Sequence, residues 1–89
     1  MRFKWDPGKA DENFRKHGVS FNEAETAFYD PLAATFDDPD HSITERRLLT
    51  VGYSSAGRLL VVSHTEFGAI IRIINARPAT AHERKRHET

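Results

Sequence analysis

The 89-residue chain predicts an α+β fold: two N-terminal helices packed on an antiparallel sheet of about four strands, with a short C-terminal helix. Three observations carry this expectation. Helix-start and helix-stop residues crowd the first third of the chain. β-branched and aliphatic runs recur at hairpin spacing through the second half. A capping pattern, Thr80-x-x-Glu83, follows the last of those runs. The length suits one domain, residues 1–89, with a modest core.

Residues 2–5 alternate, with Phe3 and Trp5 opposed to Arg2 and Lys4, and predict a short strand. Asp6 is an N-cap and Pro7 suits the first helical position, so a helix runs to about His17. Gly18 then takes the left-handed conformation that ends it. Ala10 and Phe14, four apart, form its thin apolar face. Ser20 and Glu23 make a capping box for a second helix, whose stripe is Phe21, Ala24, Ala27 and Phe28. That helix ends near Tyr29, because Asp30-Pro31 disfavours continuation. Residues 32–36 have strand character, and residues 37–42 are turn chemistry. Strands follow over residues 46–53, 58–65 and 70–77, joined by turns at 54–57 and 66–68. Pro78 stops the pairing. Thr80 then opens the terminal helix.

Composition narrows the function classes. There is no cysteine, hence no disulfide framework and no thiolate zinc site. The longest apolar run, residues 59–62, is too short to span a membrane, and the N-terminus carries no signal-peptide core. A cytoplasmic protein with no membrane association is expected. Lysine plus arginine equal aspartate plus glutamate at 13 each, but unevenly along the chain. Residues 1–45 hold five basic and ten acidic side chains; residues 46–89 hold eight basic and three acidic. Such a split suits a face for a polyanion.

The chain also resembles a known family. The matching pieces are Trp5-Asp6-x-x-Lys9-Ala10, Asn13, Lys16-His17-Gly18-Val19-x-Phe21, Asp30-Pro31, Gly57-Arg58, and Ile71-Arg72-Ile73-Ile74-x-Ala76-Arg77-x-Ala79-Thr80. They follow the pattern of the BrnT family, toxin halves of bacterial type II toxin–antitoxin pairs, over almost the whole chain. The resemblance implies a RelE-like fold and a ribonuclease that arrests translation. It implies neutralisation by a BrnA-type antitoxin with a ribbon-helix-helix DNA-binding module. A 2:2 complex that reaches operator DNA only through the antitoxin is expected. The terminal helix departs from the family at His87, where tyrosine is common. That leaves two readings open: a metal-independent endoribonuclease, or a catalytically weak member acting as antitoxin-binding co-repressor or RNA-binding module.

RNA cleavage without a metal or other cofactor needs a base for the 2′-OH, a cation for the phosphate and an acid for the leaving oxygen. Arg72 and Arg77 are the candidates for phosphate, since guanidinium binds it bidentately. They are five apart, so a regular strand points them to opposite faces. Both serve one site only if the strand bulges, twists, or ends before Arg77. The alternative for each is an ion-paired surface arginine. His64 and Glu66, two apart, are candidate acid and base, or else a strand-end pair. His87, facing Glu83 across one helical turn, is a third proton-transfer candidate, or a salt-bridged partner of a capping glutamate. Arg58, Arg84, Lys85 and Arg86 are expected to contact RNA. Lys16 and His17 read better as favourable charges at a helix C-terminus. Trp5 reads as core. Asp37, Asp38, Asp40 and His41 cluster, but as turn residues, and no metal is expected.

Overall fold

The computed structural model describes residues 1–41 and 45–89. Its elements are β1 (Arg2–Lys4), α1 (Pro7–His17), α2 (Phe21–Ala27), β2 (Ala34–Asp37), a 3-10 turn (Pro39–His41), β3 (Leu48–Tyr53), β4 (Leu59–Phe67), β5 (Ile70–Pro78) and α3 (Ala81–Glu88). The strands form one sheet in the order β1-β5-β4-β3-β2. The α+β class is as expected, with one correction. The sheet has five strands and is mixed, because β1 pairs with β5 in parallel. The helices between β1 and the rest of the sheet supply the crossover that a parallel pair requires. Ser42, the last residue of the expected turn, lies outside the described residues.

Local chemistry sets the helix ends. The Asp6 carboxylate accepts from the Lys9 amide at 2.9 Å. Gly18, at φ 68°, closes α1, its N–H donating to the Phe14 carbonyl. Ser20 caps α2 by accepting from the Glu23 amide. The other half of that box is missing: the Glu23 carboxylate reaches Arg58 and Ser54 instead. At Thr80 both halves of the box form. Helix α2 stops at Ala27, earlier than Asp30-Pro31 alone implied, and the Asp30 carboxylate accepts from the Leu32 and Tyr53 amides.

Both N-terminal helices lie on one face of the sheet. Val19, Phe21, Ala24 and Ala27 pack there on Leu60, Val62, Ile73 and Ala76. Trp5 packs edge-on to Phe21, with ring centroids 5.9 Å apart. Phe14, expected in this core, is exposed. The buried residue of α1 is Asn13. Its amide donates to the carbonyls of Val19 and Ala76, and its oxygen accepts from the Ala76 N–H. An apolar side chain could not satisfy those three backbone groups, which lie where water does not reach.

The β4–β5 ladder contains a bulge. Ser63 pairs with Asn75 and His64 with Ile73, which leaves Ile74 without a partner. Ile73 and Ala76, three apart, therefore both enter the helix-side core. The parity of β5 changes between them.

Candidate functional site

The bulge resolves the arrangement of the two arginines. Arg72 precedes Ile73 and Arg77 follows Ala76, so both lie on the sheet face turned away from α1 and α2. Val61, Ser63 and Thr65 of β4 share that face through pairing with Arg77, Asn75 and Arg72. Arg2 and Lys4 join it from β1, paired with Ile70 and Arg72. Leu49 and Val51 of β3 and Phe36 of β2 complete it. No α1 or α2 residue covers this face. Helix α3 borders one end.

Two concavities open there. The groove beside α3 measures about 470 Å³, between Phe36, Leu49, Val51 and Val61 on the sheet and Glu83, Arg86 and His87 on the helix. A smaller depression at the other end of β5 is lined by Lys4, Glu45, Thr65, Phe67, Ile70 and Arg72. A further concavity, about 640 Å³ around Phe14 and Phe21, lies in the helix layer, away from the β5 arginines.

The arginines are engaged. Arg77 forms a two-pronged pair with Glu83, at 2.7 and 2.9 Å. That fork, with the Thr80 amide, pulls the Glu83 carboxyl down to about 2. Arg77 is thus the anchor of α3 as well as a cation on the open face. Arg72 meets Glu45 at 2.6 Å, with both side chains about half exposed. Such a surface pair is weak and exchangeable.

His87 projects into the groove beside Arg86 and Glu83, its ring 6.1 Å from that of Tyr53. The Tyr53 hydroxyl donates to Glu88. Arg84, Lys85 and Arg86 are exposed on α3, so the helix carries a cluster of positive charge to the rim.

Three expected site residues fall elsewhere. His64 is 0% exposed, on the helix side of the sheet. Its Nε2 lies 2.7 Å from the Thr50 hydroxyl, its ring stacks edge-on against Phe28, and its Nδ1 has no hydrogen-bond partner among the described residues. Burial pushes its pKa down to about 4, so it is neutral near neutral pH and out of reach of a substrate. His64 and Glu66 do share a face, but it is the helix side of the sheet, because His64 pairs with the core residue Ile73. Glu66 is exposed at the strand end, with Oε1 3.8 Å from His64 Nδ1. It lies across the sheet from the arginines. Arg58 is likewise held in the helix layer. It donates to both Glu23 oxygens and to the Gly18 carbonyl, tying the β3–β4 hairpin to the α1–α2 corner. Among the residues of the expected acidic turn, Asp37 pairs with Arg46 and Asp38 with His41.

The sequence reading missed the contributions of Arg2, Lys4 and Tyr53. The alternation of residues 2–5 did put Arg2 and Lys4 on one side. Their placement beside Arg72 depends on the parallel β1–β5 pairing, which local pattern does not carry.

Comparison with known proteins adds family and fold. Residues 5–83 match the family model described as ribonuclease toxin, BrnT, of type II toxin–antitoxin system. No curated protein matches the chain. Among solved structures it is similar to the Brucella abortus ribonuclease toxin BrnT, a crystal structure at 1.1 Å resolution. The TM-score is 0.70 at 24% identity, covering 90% of this chain and 97% of that one. At that identity the likeness speaks for the fold.

Proposed function

We propose a function from one premise: the chain belongs to the BrnT family of ribonuclease toxins of type II toxin–antitoxin systems. The protein is therefore a toxin component, and its partner is an antitoxin. Beyond that, our reading is a metal-independent endoribonuclease that arrests translation in the cytoplasm. RNA lies along β5 on the open face, from Arg72 to the α3 groove. Arg72, Arg77 and Arg86 take phosphates, and Arg84 and Lys85 add attraction at the rim. His87 is the proton-transfer group, since an imidazole can accept or donate a proton. The 2′-oxygen passes its proton to the neutral His87 imidazole and attacks phosphorus to give a 2′,3′-cyclic phosphate. The 5′-oxygen leaves with a proton from the imidazolium. Arginine charge stabilises the phosphorane-like transition state.

The observation that carries this reading is the Ile74 bulge, which puts Arg72 and Arg77 on the same sheet face, the one turned away from α1 and α2. A BrnA-type ribbon-helix-helix antitoxin is expected to cover that same face. Because its DNA module is dimeric, a 2:2 complex reaching operator DNA through the antitoxin follows.

One observation favours a second reading, a catalytically weak co-repressor or RNA-binding module. The carboxylate nearest His87 among the groove residues, Glu83, is held ionised and engaged by Arg77. The groove then offers His87 alone for proton transfer.

Incubating the purified protein with end-labelled RNA, with and without EDTA, separates the two. Cleavage should persist in EDTA. Arg72→Ala and His87→Ala should each lower the rate by about a hundredfold, a common scale for losing one charge-stabilising or acid–base group. Intact RNA with folded protein would leave the second reading standing.

A further inference from the structure

Apart from Arg72, the residues lining the depression at the far end of β5 have no part in the proposed cleavage chemistry. Its volume is about 290 Å³. Phe67 is 86% exposed, more than any other large apolar side chain described. It ends β4, pairs with Ile70, and is followed by a turn with Gly68 at φ 59°. Thr65 and Arg72 pair one step further along, and Lys4 pairs with Arg72 from the other side. An aromatic ring thus stands free at the end of a cationic strip, on the same face as the candidate cleavage groove.

Exposing a phenylalanine ring to water costs free energy, and this ring is left almost fully exposed. A protein-binding apolar patch would usually carry several such side chains and few charges at its centre. This depression instead couples one aromatic to two cations, Lys4 and Arg72, and a hydroxyl, Thr65. That pairing of a stacking surface with phosphate-binding charge is what single-stranded nucleic acid needs. Glu45 is the acidic group among the described residues lining it, and its pair with Arg72 is half exposed and exchangeable.

We propose that Phe67 is a base-stacking platform: the depression holds one nucleotide of single-stranded RNA, base against Phe67 and Ile70, phosphate between Lys4 and Arg72. This deepens the reading of the open face as an RNA site and rests on it. The platform sets which part of a strand enters the α3 groove. It acts by binding and positioning and touches no reacting atom.

The test uses a short 2′-O-methyl oligoribonucleotide, which cannot be cleaved, carrying a single 2-aminopurine. Binding is read by anisotropy, and stacking by fluorescence quenching. Phe67→Ala should weaken binding by about tenfold and abolish the quenching, the scale of one stacked base. Phe67→Trp should keep both. Lys4→Ala should lower the slope of log Kd against log salt by about 0.7, as for one phosphate contact on a single strand, while Phe67→Ala leaves the slope unchanged. Parental affinity and quenching in Phe67→Ala would overturn the proposal, whether or not that variant also loses a protein partner. Because the probe is inert, absence of ribonuclease activity alone leaves this result readable. Parental RNA cleavage with Phe67-independent binding would remove this proposal and keep the ribonuclease.

Discussion

At the scale of single residues, the informative side chains are the polar ones that serve backbone groups. Asn13 is 4% exposed and joins α1, the α1–α2 corner and β5 through three hydrogen bonds. Asn13→Ala strands two carbonyls and one amide in the interior. Each stranded group costs about 1–3 kcal/mol, so the loss should exceed about 3 kcal/mol. For a domain of this size that lowers Tm by on the order of 15 °C. Thermal unfolding checks it; a drop of a few degrees would show that water or local movement satisfies those groups. Helical periodicity pointed to Ala10 and Phe14 because it counts apolar positions. It is blind to a polar side chain buried to satisfy its neighbours' backbone. Arg58 was misread for a related reason: its charge suggested RNA, and its partners Glu23 and Gly18 are distant in sequence.

At the scale of elements, α3 depends on ion pairs and capping. None of its residues is buried. What holds it is the Thr80–Glu83 box, the Arg77–Glu83 fork and the Tyr53–Glu88 contact. Glu83→Ala removes the fork and the carboxylate half of the box, leaving only the bond from the residue-83 N–H to Thr80, and an isolated eight-residue helix is marginal in water. Amide hydrogen exchange should show residues 84–88 losing protection while β5 keeps its own. Glu83→Gln retains the box geometry and loses only the charged fork, so its protection should fall between the two. Protection in Glu83→Ala equal to the parent's would mean that α3 has another anchor. The helix itself was legible, because a capping box is a local code. The parallel β1 pairing was not, because three residues carry no register information. The bulge was hidden too: Ile70, Ile71, Ile73 and Ile74 occupy both parities, so alternation could not choose a face. The site followed the same rule, since Arg72 and Arg77 were found by residue type and their common face only by tertiary pairing.

At the scale of the whole molecule, two layers divide the work. The helix layer holds the core and the structural polar ties; the open sheet face carries Arg2, Lys4, Arg72 and Arg77. Between them lies His64, in a hydrogen-bonded line with Thr50 and Thr35, the hydroxyls 2.8 Å apart. Desolvation lowers its pKa from 6.5 to about 4, and the half-exposed Glu66 nearby does not offset that. The unfolded chain therefore binds the extra proton first. His64 contributes its full stabilisation above about pH 6.5 and loses it as pH falls through about 4. The shift corresponds to on the order of 3 kcal/mol in total, of which about 2 kcal/mol is gone by pH 5. Glu83, also depressed, adds its loss only below about pH 4.5, as pH falls toward its folded value of about 2. Urea unfolding at pH 7.5 and pH 5 should show the drop in the parent protein. His64→Gln keeps a partner for Thr50 without titrating, so its stability should change less over that interval, by about 2 kcal/mol. Equal pH dependence in the two proteins would mean that the imidazole is protonated within the fold. The layers would then have to open at that point for water to reach Nδ1.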